Sequence, residues 1–597
     1  MWPSPQALRN LGIRKGGIRN LLPGFLSSKF SFSAFLLVPG VALFGMSMLL
    51  LAGCRSSPAG RSKGADFVAE ADVQNGRAAE RELDRRAKAQ AHYAAAIIHE
   101  LNDQREQALE EFSRAARANP DDEALTLEVT RRLLPNKKSD AALELLLAAS
   151  ARPEASGLVF ARLGLVYAQL GQIDKAIEAN RTAIKKAPLD LAGHQHLFLN
   201  HIQANQPDAA LKVLDDAARQ SDADGDFLMG IAELYASYAL QFPTQREVIH
   251  AKGLKLLGRV KDFKLRTPQE RLKLGDGFNL FGDSERAAEV YLDVLRMATD
   301  LPMLRQGVRA KLADIYLRTN DRKGAIEQLE AMVREDPANA QAYYQLGRLA
   351  YEEERWADAI EHLRRVLLFN PDFEQAHYDL AAAQIALGNT SDALATLESA
   401  RTKFKANFVV EYLLATANTR EKNFAQAVSH FTAAELIAQA SDTNRLNHGF
   451  YFQVGAAFER KGDRVQAAKY FEKCLMLSPD FDEAQNYLGY MWAEHGENLE
   501  RARDLIAKAL KAEPDNAAYL DSMGWVLFKL NQPKEALDYM LKAVAASEEA
   551  DATLYDHLGD IYARLKEHDK ARDAWRKSLS VEANEQVQKK LDAPEAD

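Results

Sequence analysis

The two cysteines carry the strongest nucleophiles of this 597-residue sequence. Cys54 ends the stretch LLLAGC, which begins at Leu49, and Cys474 lies far downstream. A cysteine reacts as its thiolate, which attacks electrophiles and accepts covalent modification. Two cysteines without a C-x-x-C pattern predict neither a disulfide framework nor a common zinc site. Each thiol must therefore be interpreted by its own surroundings.

Cys54 directly follows the most apolar segment of the chain. The 22 residues from Phe32 to Gly53 carry no charge, although Pro39 and Gly40 interrupt them. A run of this length can span a bilayer as a helix. The first 53 residues hold five basic and no acidic side chains, which favours a cytoplasmic N-terminal side. We predict that residues 1–53 are a signal segment or an uncleaved membrane anchor, and that the remainder is exported.

The sequence Leu51-Ala52-Gly53-Cys54 resembles the lipobox of bacterial lipoproteins. The resemblance implies that the Cys54 thiol is lipidated and that the signal peptide is cut before it. The small residues suit close approach of a peptidase to the backbone. Because Arg55 rather than Asp follows the cysteine, the resemblance favours the outer membrane, facing the periplasm. A transmembrane helix that happens to end in cysteine is the alternative.

Beyond Cys54 the chain becomes repetitive. Residues 54–87 are small, polar and charged, and predict a flexible tether. Alanines then recur at intervals of 34 or 35 residues, in three runs: Ala108, Ala142, Ala176 and Ala210; Ala325, Ala359, Ala393 and Ala427; Ala467, Ala502, Ala536 and Ala571. Self-similarity at this period indicates a stack of helix pairs rather than separate globular domains.

The stretch LGLVYAQLGQIDKAIEANRTAIKKAP resembles the tetratricopeptide repeat. The repeat's fixed positions are filled by Leu163, Gly164, Tyr167, Gly171, Ala176, Ala183 and Pro188. Asn180 departs from the pattern, because the family has a bulky residue there. Small residues let two helices approach closely, and proline ends the second helix.

The predicted fold is all-α: a tetratricopeptide-type α-solenoid that forms a right-handed superhelix of about 14 helix pairs. We expect an N-terminal array over 88–267, with a divergent unit at 225–267 that kinks the stack, and a C-terminal array over 268–583. The polar residues 584–597 would cover the last exposed face, since such stacks need capped ends.

In this repeat family, the residues two before and two after the leucine of the Leu-Gly pair face the concave groove. The resemblance therefore implies a partner-binding groove formed by Asn486, Tyr490, Asp521, Trp525, Asp556 and Asp560, with a second patch of Tyr344, Arg348 and Tyr378. Carboxylates and amides in a row would bind an extended peptide or its basic side chains, with the aromatics as anchors. Alternatively, these polar groups bond within the stack.

Other chemistry is not indicated by the sequence. It has no phosphate loop, dinucleotide fingerprint or nucleophile elbow, and its 13 histidines do not cluster. We therefore predict no metal, no cofactor and no enzymatic activity. The net charge of −9 becomes −14 once the basic first 53 residues are set aside, which argues against nucleic-acid binding. Cys474 replaces an alanine of the repeat and is expected to be a packing residue.

Together, these features predict a membrane-anchored scaffold of the bacterial cell envelope that binds other envelope proteins or extended peptide segments. An alternative is a polysaccharide-export or glycan-binding subunit, in which Trp525 and Tyr490 would stack on sugars. The resemblance to repeat lipoproteins does not identify the partner.

Overall fold

The computed structural model describes residues 68–261 and 263–593, which form α-helices joined by short turns, without a β-strand among them. Helices α1 to α28 make fourteen consecutive pairs, and α29 follows the last pair. The predicted all-α fold of about 14 helix pairs is confirmed. The right-handed course of the superhelix stays a prediction.

The described residues divide within one helix, between Ala331 and Met332, into two compact units. The N-terminal unit contains helices α1 to α13 and most of α14. They are α1 Val68–Leu101, α2 Arg105–Ala118, α3 Glu123–Leu133, α4 Ser139–Ser150, α5 Gly157–Gln169, α6 Ile173–Lys186, α7 Leu191–Gln203, α8 Pro207–Ala218, α9 Gly225–Gln241, α10 Arg246–Lys261, α11 Pro268–Leu280, α12 Ser284–Met297, α13 Pro302–Arg318 and α14 Arg322–Glu335.

The C-terminal unit, from Met332 onward, contains the remaining fifteen helices. They are α15 Ala340–Glu352, α16 Trp356–Phe369, α17 Glu374–Leu387, α18 Thr390–Lys403, α19 Phe408–Arg420, α20 Phe424–Ser441, α21 His448–Lys461, α22 Arg464–Leu477, α23 Asp482–His495, α24 Leu499–Ala512, α25 Ala517–Lys529, α26 Pro533–Ala546, α27 Ala552–Arg564, α28 His568–Val581 and α29 Glu585–Asp592.

The periodic alanines lie on the second helix of each pair and are at most 3% exposed. Opposite them, the glycine of the Leu-Gly pair accommodates a bulky side chain from the second helix. A Cβ built on Gly489 would lie 2.7 Å from Ile506, and one on Gly524 would lie 2.9 Å from Met540. These distances are too short for a real side chain, so the small residues allow the close helix approach that the sequence indicates.

Turns inside the pairs share one backbone feature. Thirteen of the fourteen contain a residue with positive φ: Asp103, Lys137, Gly171, Asn205, Gly282, Asn320, Glu354, Gly388, Lys422, Gly462, Gly496, Asn531 and Lys566. A left-handed residue reverses the chain after the first helix and lets the second begin within two or three residues. These turns repeat at nearly the same interval as the alanines.

The exception is the pair α9–α10, inside the predicted divergent segment 225–267. Its helices are longer, with 17 and 16 residues, and a 3₁₀ turn, Pro243–Gln245, connects them. A buried cluster runs from Phe198 on α7 through this pair to Ile315 on α13. This cluster continues past residue 267. The boundary that the sequence predicts there between the two arrays stays a prediction.

Helix α1 begins at Val68, inside the predicted tether of residues 54–87. Its first part lacks an apolar stripe, but it is rich in helix-forming residues and carries ion pairs one turn apart, including Asp84–Lys88 at 2.8 Å. Such pairs stabilise an exposed helix. The signal segment and Cys54 lie outside the described residues, as do 594–597.

Candidate interaction site

The predicted groove residues of the C-terminal unit lie on the first helices of three successive pairs, α23, α25 and α27. Trp525 and His557 stack with ring centroids 3.8 Å apart and an interplanar angle of 13°. Asp521 is 2.9 Å from His557 Nδ1. The structure therefore brings these groups together through His557, a residue that the sequence analysis did not select.

Trp525 is almost fully enclosed. Its side chain is 6% exposed, and its indole Nε1 donates to Glu494 Oε2 at 2.7 Å. Phe528 stacks against the ring at 5.1 Å, and Lys529 Nζ lies 4.6 Å from the ring centroid. Because neighbours of this chain contact the ring and satisfy its donor, Trp525 offers little surface for a peptide or a sugar.

His557 is 4% exposed, and its titration reflects two opposing effects. Burial lowers the pKa of His557. The carboxylates of Asp521, Glu494 and Asp556 raise the pKa by a larger amount, so that it lies above the ordinary value. An imidazolium paired with Asp521 is thus favoured at this position.

Asp556 and Asp560, one turn apart on α27, both bind Lys590 of α29. The Lys590 ammonium is 2.8 Å from Asp556 Oδ1 and 2.7 Å from Asp560 Oδ2. Trp575 Nε1 also donates to Asp560, at 3.2 Å. Burial raises the pKa of Asp560 despite the adjacent Lys590. The final helix therefore places a cation in the last predicted position of the groove.

Asn486 and Tyr490 complete the predicted set. Asn486 is 2% exposed, and its buried Oδ1 lacks a hydrogen-bond donor. Tyr490 is partly buried, and burial raises its pKa well above the usual value. Partner binding by the six residues stays a prediction, while four of them, Asp521, Trp525, Asp556 and Asp560, have partners within the chain.

The second predicted patch separates into two environments. Tyr344 is 9% exposed and donates to Asp379 Oδ2 at 2.8 Å. Burial raises the pKa of Asp379 to about 6, although hydrogen bonds from Gln375 and Tyr344 oppose the shift. Arg348 lies 3.6 Å from Glu352 on the same helix. Tyr378, in contrast, lines an open cavity.

That cavity, of about 970 Å³, lies in the C-terminal unit and is here named the Glu374 cavity. Its lining comes from the starts of α15, α17 and α19, from the loops before α17 and α19, and from the end of α20 and the residues after it. The volume falls within the range of roughly 300–1,000 Å³ that is typical of ligand sites. It is larger than a cavity of about 670 Å³ in the N-terminal unit.

The lining combines aromatic and acidic groups. Phe373, which is partly exposed, supplies aromatic surface, whereas Tyr378 and Phe408 are 4% and 5% exposed and lie behind it in the lining. The lining also includes three carboxylates, Asp372, Glu374 and Asp442, and one guanidinium, Arg445. Within the chain, Asp372 pairs with Lys403 at 2.7 Å and Asp442 pairs with Arg445 at 3.2 Å.

Glu374 differs from the other two carboxylates because its donors are neutral. Its Oε1 accepts from the Tyr378 hydroxyl at 2.6 Å and from Asn407 Nδ2 at 3.2 Å. Asn407 Nδ2 also donates to the Tyr378 oxygen at 2.8 Å. Burial, followed by the bond to Glu374, raises the pKa of Tyr378. Glu374 itself is exposed, so its carboxylate is both oriented and accessible.

The Asn407 side chain is also held by hydrogen bonds to the backbone of α19. Its Oδ1 accepts from the amides of Val409 and Val410 and thereby caps α19. The sequence analysis missed Glu374 and Asn407 because it considered only positions beside the Leu-Gly pair. Asn407 could have been found from the sequence as a helix cap, because an asparagine directly before an apolar helical run marks a helix start.

The second cavity, of about 670 Å³, lies in the N-terminal unit between residues 82–94 of α1 and the loop and first turn at the start of α3. Glu82, Arg86, Tyr93 and Asp122 are among its lining residues. Glu82 pairs with Arg86 one turn away, and Asp122 caps α3 through the amide of Leu125. The charged groups at this site are thus engaged by their own unit.

Among the described residues, no helix combines the length and the apolar character needed to cross a bilayer. Nor do three or more His, Cys, Asp or Glu side chains gather there in a metal-binding arrangement. Cys474 is 0% exposed, and burial raises the pKa of its thiol to about 12, consistent with the predicted packing role.

Models of the tetratricopeptide repeat match residues 159–188, 310–377, 350–417, 452–518 and 522–584. The chain contains tetratricopeptide repeats. Such repeats imply a scaffold for protein–protein interaction, and most residues that line the Glu374 cavity lie within the matched stretches 310–377 and 350–417.

Two curated relatives align with about a third of the chain. The TPR repeat-containing protein PA4667 of Pseudomonas aeruginosa is 29% identical over 220 residues, which are 37% of this chain and 36% of that protein. The peroxisomal targeting signal receptor of Komagataella phaffii is 26% identical over 216 residues, 35% of this chain and 30% of that receptor. The chain thus matches only about a third of the length of either relative.

Among solved structures, a tetratricopeptide repeat protein from Parabacteroides merdae is similar, with 17% identity and a TM-score of 0.35. The likeness covers 42% of this chain and 96% of that protein.

Proposed function

We propose that this protein is a lipid-anchored scaffold of a bacterial cell envelope, whose repeat arrays bind other envelope proteins through extended segments of their chains. Cys54 carries the lipid, and the arrays face the periplasm from the outer membrane. The anchor rests on the sequence from Leu49 to Arg55, and the binding role rests on the repeats.

The observation that best supports binding is the Glu374 cavity. It is large enough for several residues of an extended chain, and its carboxylate is oriented before any ligand arrives. Preorganised groups raise affinity because less conformational freedom is lost on binding. Asp521 and Asp556, which the sequence predicts to bind a partner, are less available for binding, because His557 and Lys590 already contact their carboxylates.

The anchor is tested by replacing Cys54 with alanine. Metabolic labelling with palmitate should mark the wild-type chain, whereas Cys54→Ala should remain unlabelled and accumulate as an uncleaved precursor. Cys474→Ala is the matched control, because that thiol is buried and should not affect labelling. Unchanged mobility and fractionation of Cys54→Ala would favour a transmembrane anchor instead.

The scaffold role is tested by cross-linking in intact envelopes, followed by affinity isolation of the full-length chain and mass spectrometry. Envelope proteins should be recovered with the wild type, with cross-links that map to the C-terminal unit. Recovery of glycan alone, released by competing polysaccharide, would contradict protein binding and support the polysaccharide-handling alternative.

A further inference from the structure

We propose that the Glu374 cavity binds a partner segment that places a lysine or arginine side chain against Glu374 and an adjacent apolar side chain against Phe373. This inference rests on the proposed scaffold function and specifies the ligand chemistry of one of its sites. It concerns α15 to α20 and is independent of the membrane anchor.

The chain itself shows how its groove carboxylates are satisfied. Lys590 bridges Asp556 and Asp560, and His557 pairs with Asp521. In each case a cation from a following helix occupies the acidic position. Glu374 lies at the start of α17, and its two donors, Tyr378 and Asn407, are uncharged. It is thus a groove carboxylate to which the described chain supplies no cation.

The geometry of Glu374 leaves one oxygen available. Both donors bind Oε1, and among the described residues Oε2 has no donor. Asn407 cannot turn away without losing the cap of α19, which holds the arrangement in place. An ammonium or guanidinium that reaches Oε2 forms a charge-assisted hydrogen bond, and the donors on Oε1 keep the carboxylate in position.

The remaining lining suits the rest of such a segment. Phe373 packs on Tyr344 with ring centroids 4.6 Å apart, which leaves its outer side to the cavity. Arg445 lies over Phe408 at 5.3 Å, so the aromatic surface that remains for a partner is that of Phe373. The excess of carboxylates disfavours an acidic segment. Glutamine and asparagine side chains, Gln341, Gln375 and Asn370, can pair with its backbone.

The test uses the purified full-length chain and a library of unstructured octapeptides displayed on phage. Selected peptides should be enriched in lysine or arginine next to an apolar residue. A selected peptide is then synthesised with fluorescein, and its affinity is measured by anisotropy. Acetylation of its lysine, or replacement of its arginine by citrulline, should weaken binding about tenfold or more.

The matched variants are Glu374→Gln in the cavity and Glu361→Gln on the exposed part of α16, where Glu361 pairs with Arg365 one turn away. Glu374→Gln should bind the unmodified peptide about tenfold more weakly than the wild type does. Its affinity should not change further when the peptide loses its positive charge. Glu361→Gln should bind as the wild type does.

Two results would overturn the inference. The first is that the selected peptides lack basic residues, and the second is that a selected peptide binds the wild type and Glu374→Gln with equal affinity. In either case, cross-linking of envelope proteins to the chain would still support the scaffold. Failure of both peptide selection and cross-linking would instead remove the proposed function, so the two failures are distinguishable.

Discussion

Trp525 and His557 lie face to face, 3.8 Å apart, on the first helices of consecutive repeat pairs. Asp521 fixes the imidazole, and Glu494 fixes the indole. Four groups from three helices thus form one interlocked contact where the sequence alone predicts an open row. The contact joins successive pairs through polar groups as well as through the apolar core.

His557→Ala should destabilise the end of the C-terminal unit by roughly 1–3 kcal/mol, because it removes the stacked ring and leaves Asp521 without its partner. The urea midpoint followed by circular dichroism measures the effect. His568→Ala, at an exposed position on α28, is the control and should change the midpoint little. Equal midpoints for the two variants would show that the stack contributes no stability.

Asp379 should make stability depend on pH. Its folded-state pKa of about 6 lies above its ordinary value of 3.8. A carboxyl shifted upward contributes stability that is complete below the unfolded-state pKa and is lost as the pH rises through the folded-state value. Between about pH 4 and 7, the free energy of unfolding should therefore fall in the wild type by roughly 1–3 kcal/mol more than in Asp379→Asn.

Urea titrations at several pH values measure this difference. The control for Asp379 is Asp372→Asn, which changes an exposed carboxylate in the same unit. It should keep the wild-type slope. If Asp379→Asn keeps that slope as well, burial does not control the titration of this carboxyl.

Asn180→Leu should stabilise the N-terminal unit. Asn180 fills the place of the bulky residue opposite Gly164, and both of its amide atoms are buried without a hydrogen-bond partner. A leucine of similar size removes this unsatisfied pair and should raise the free energy of unfolding by roughly 1–3 kcal/mol. Lys185→Leu, on the exposed face of the same helix, controls for added apolar surface. A lower midpoint for Asn180→Leu would mean that the amide is needed at this position.

Lys590→Ala should release α29 from the last repeat pair. The helix is held by Lys590 and by Val587, which is 1% exposed, and loss of the ammonium leaves two nearby carboxylates to repel each other. Hydrogen exchange across residues 585–592 should accelerate. Lys589→Ala, an adjacent exposed lysine, should leave exchange unchanged. Full protection in Lys590→Ala would assign the docking to Val587 alone.

The parts of the fold that the sequence predicts are those set by local spacing. Ala176 recurs at a fixed interval because its helix must approach a neighbour in every pair, and the same constraint explains Gly164. Asn180 could even be recognised as a departure, and it is the residue whose amide lacks partners.

The contents of the groove could not be predicted in the same way. Trp525 meets Glu494 31 residues earlier, and Asp521 meets His557 36 residues later. Such contacts depend on the register of one pair against the next, which spacing within a single repeat does not determine. Asn407 shows the same limit, because it caps its own helix and also holds Glu374 of the preceding pair.

The left-handed turns have a consequence for engineering this chain. Nine non-glycine residues among those described have positive φ, a conformation that glycine adopts at lower cost. Each lies at a bend inside a helix pair, and none of them lines the Glu374 cavity. Glycine substitutions at single bends should therefore change the stability of one helix pair at a time, without altering the residues that line the Glu374 cavity.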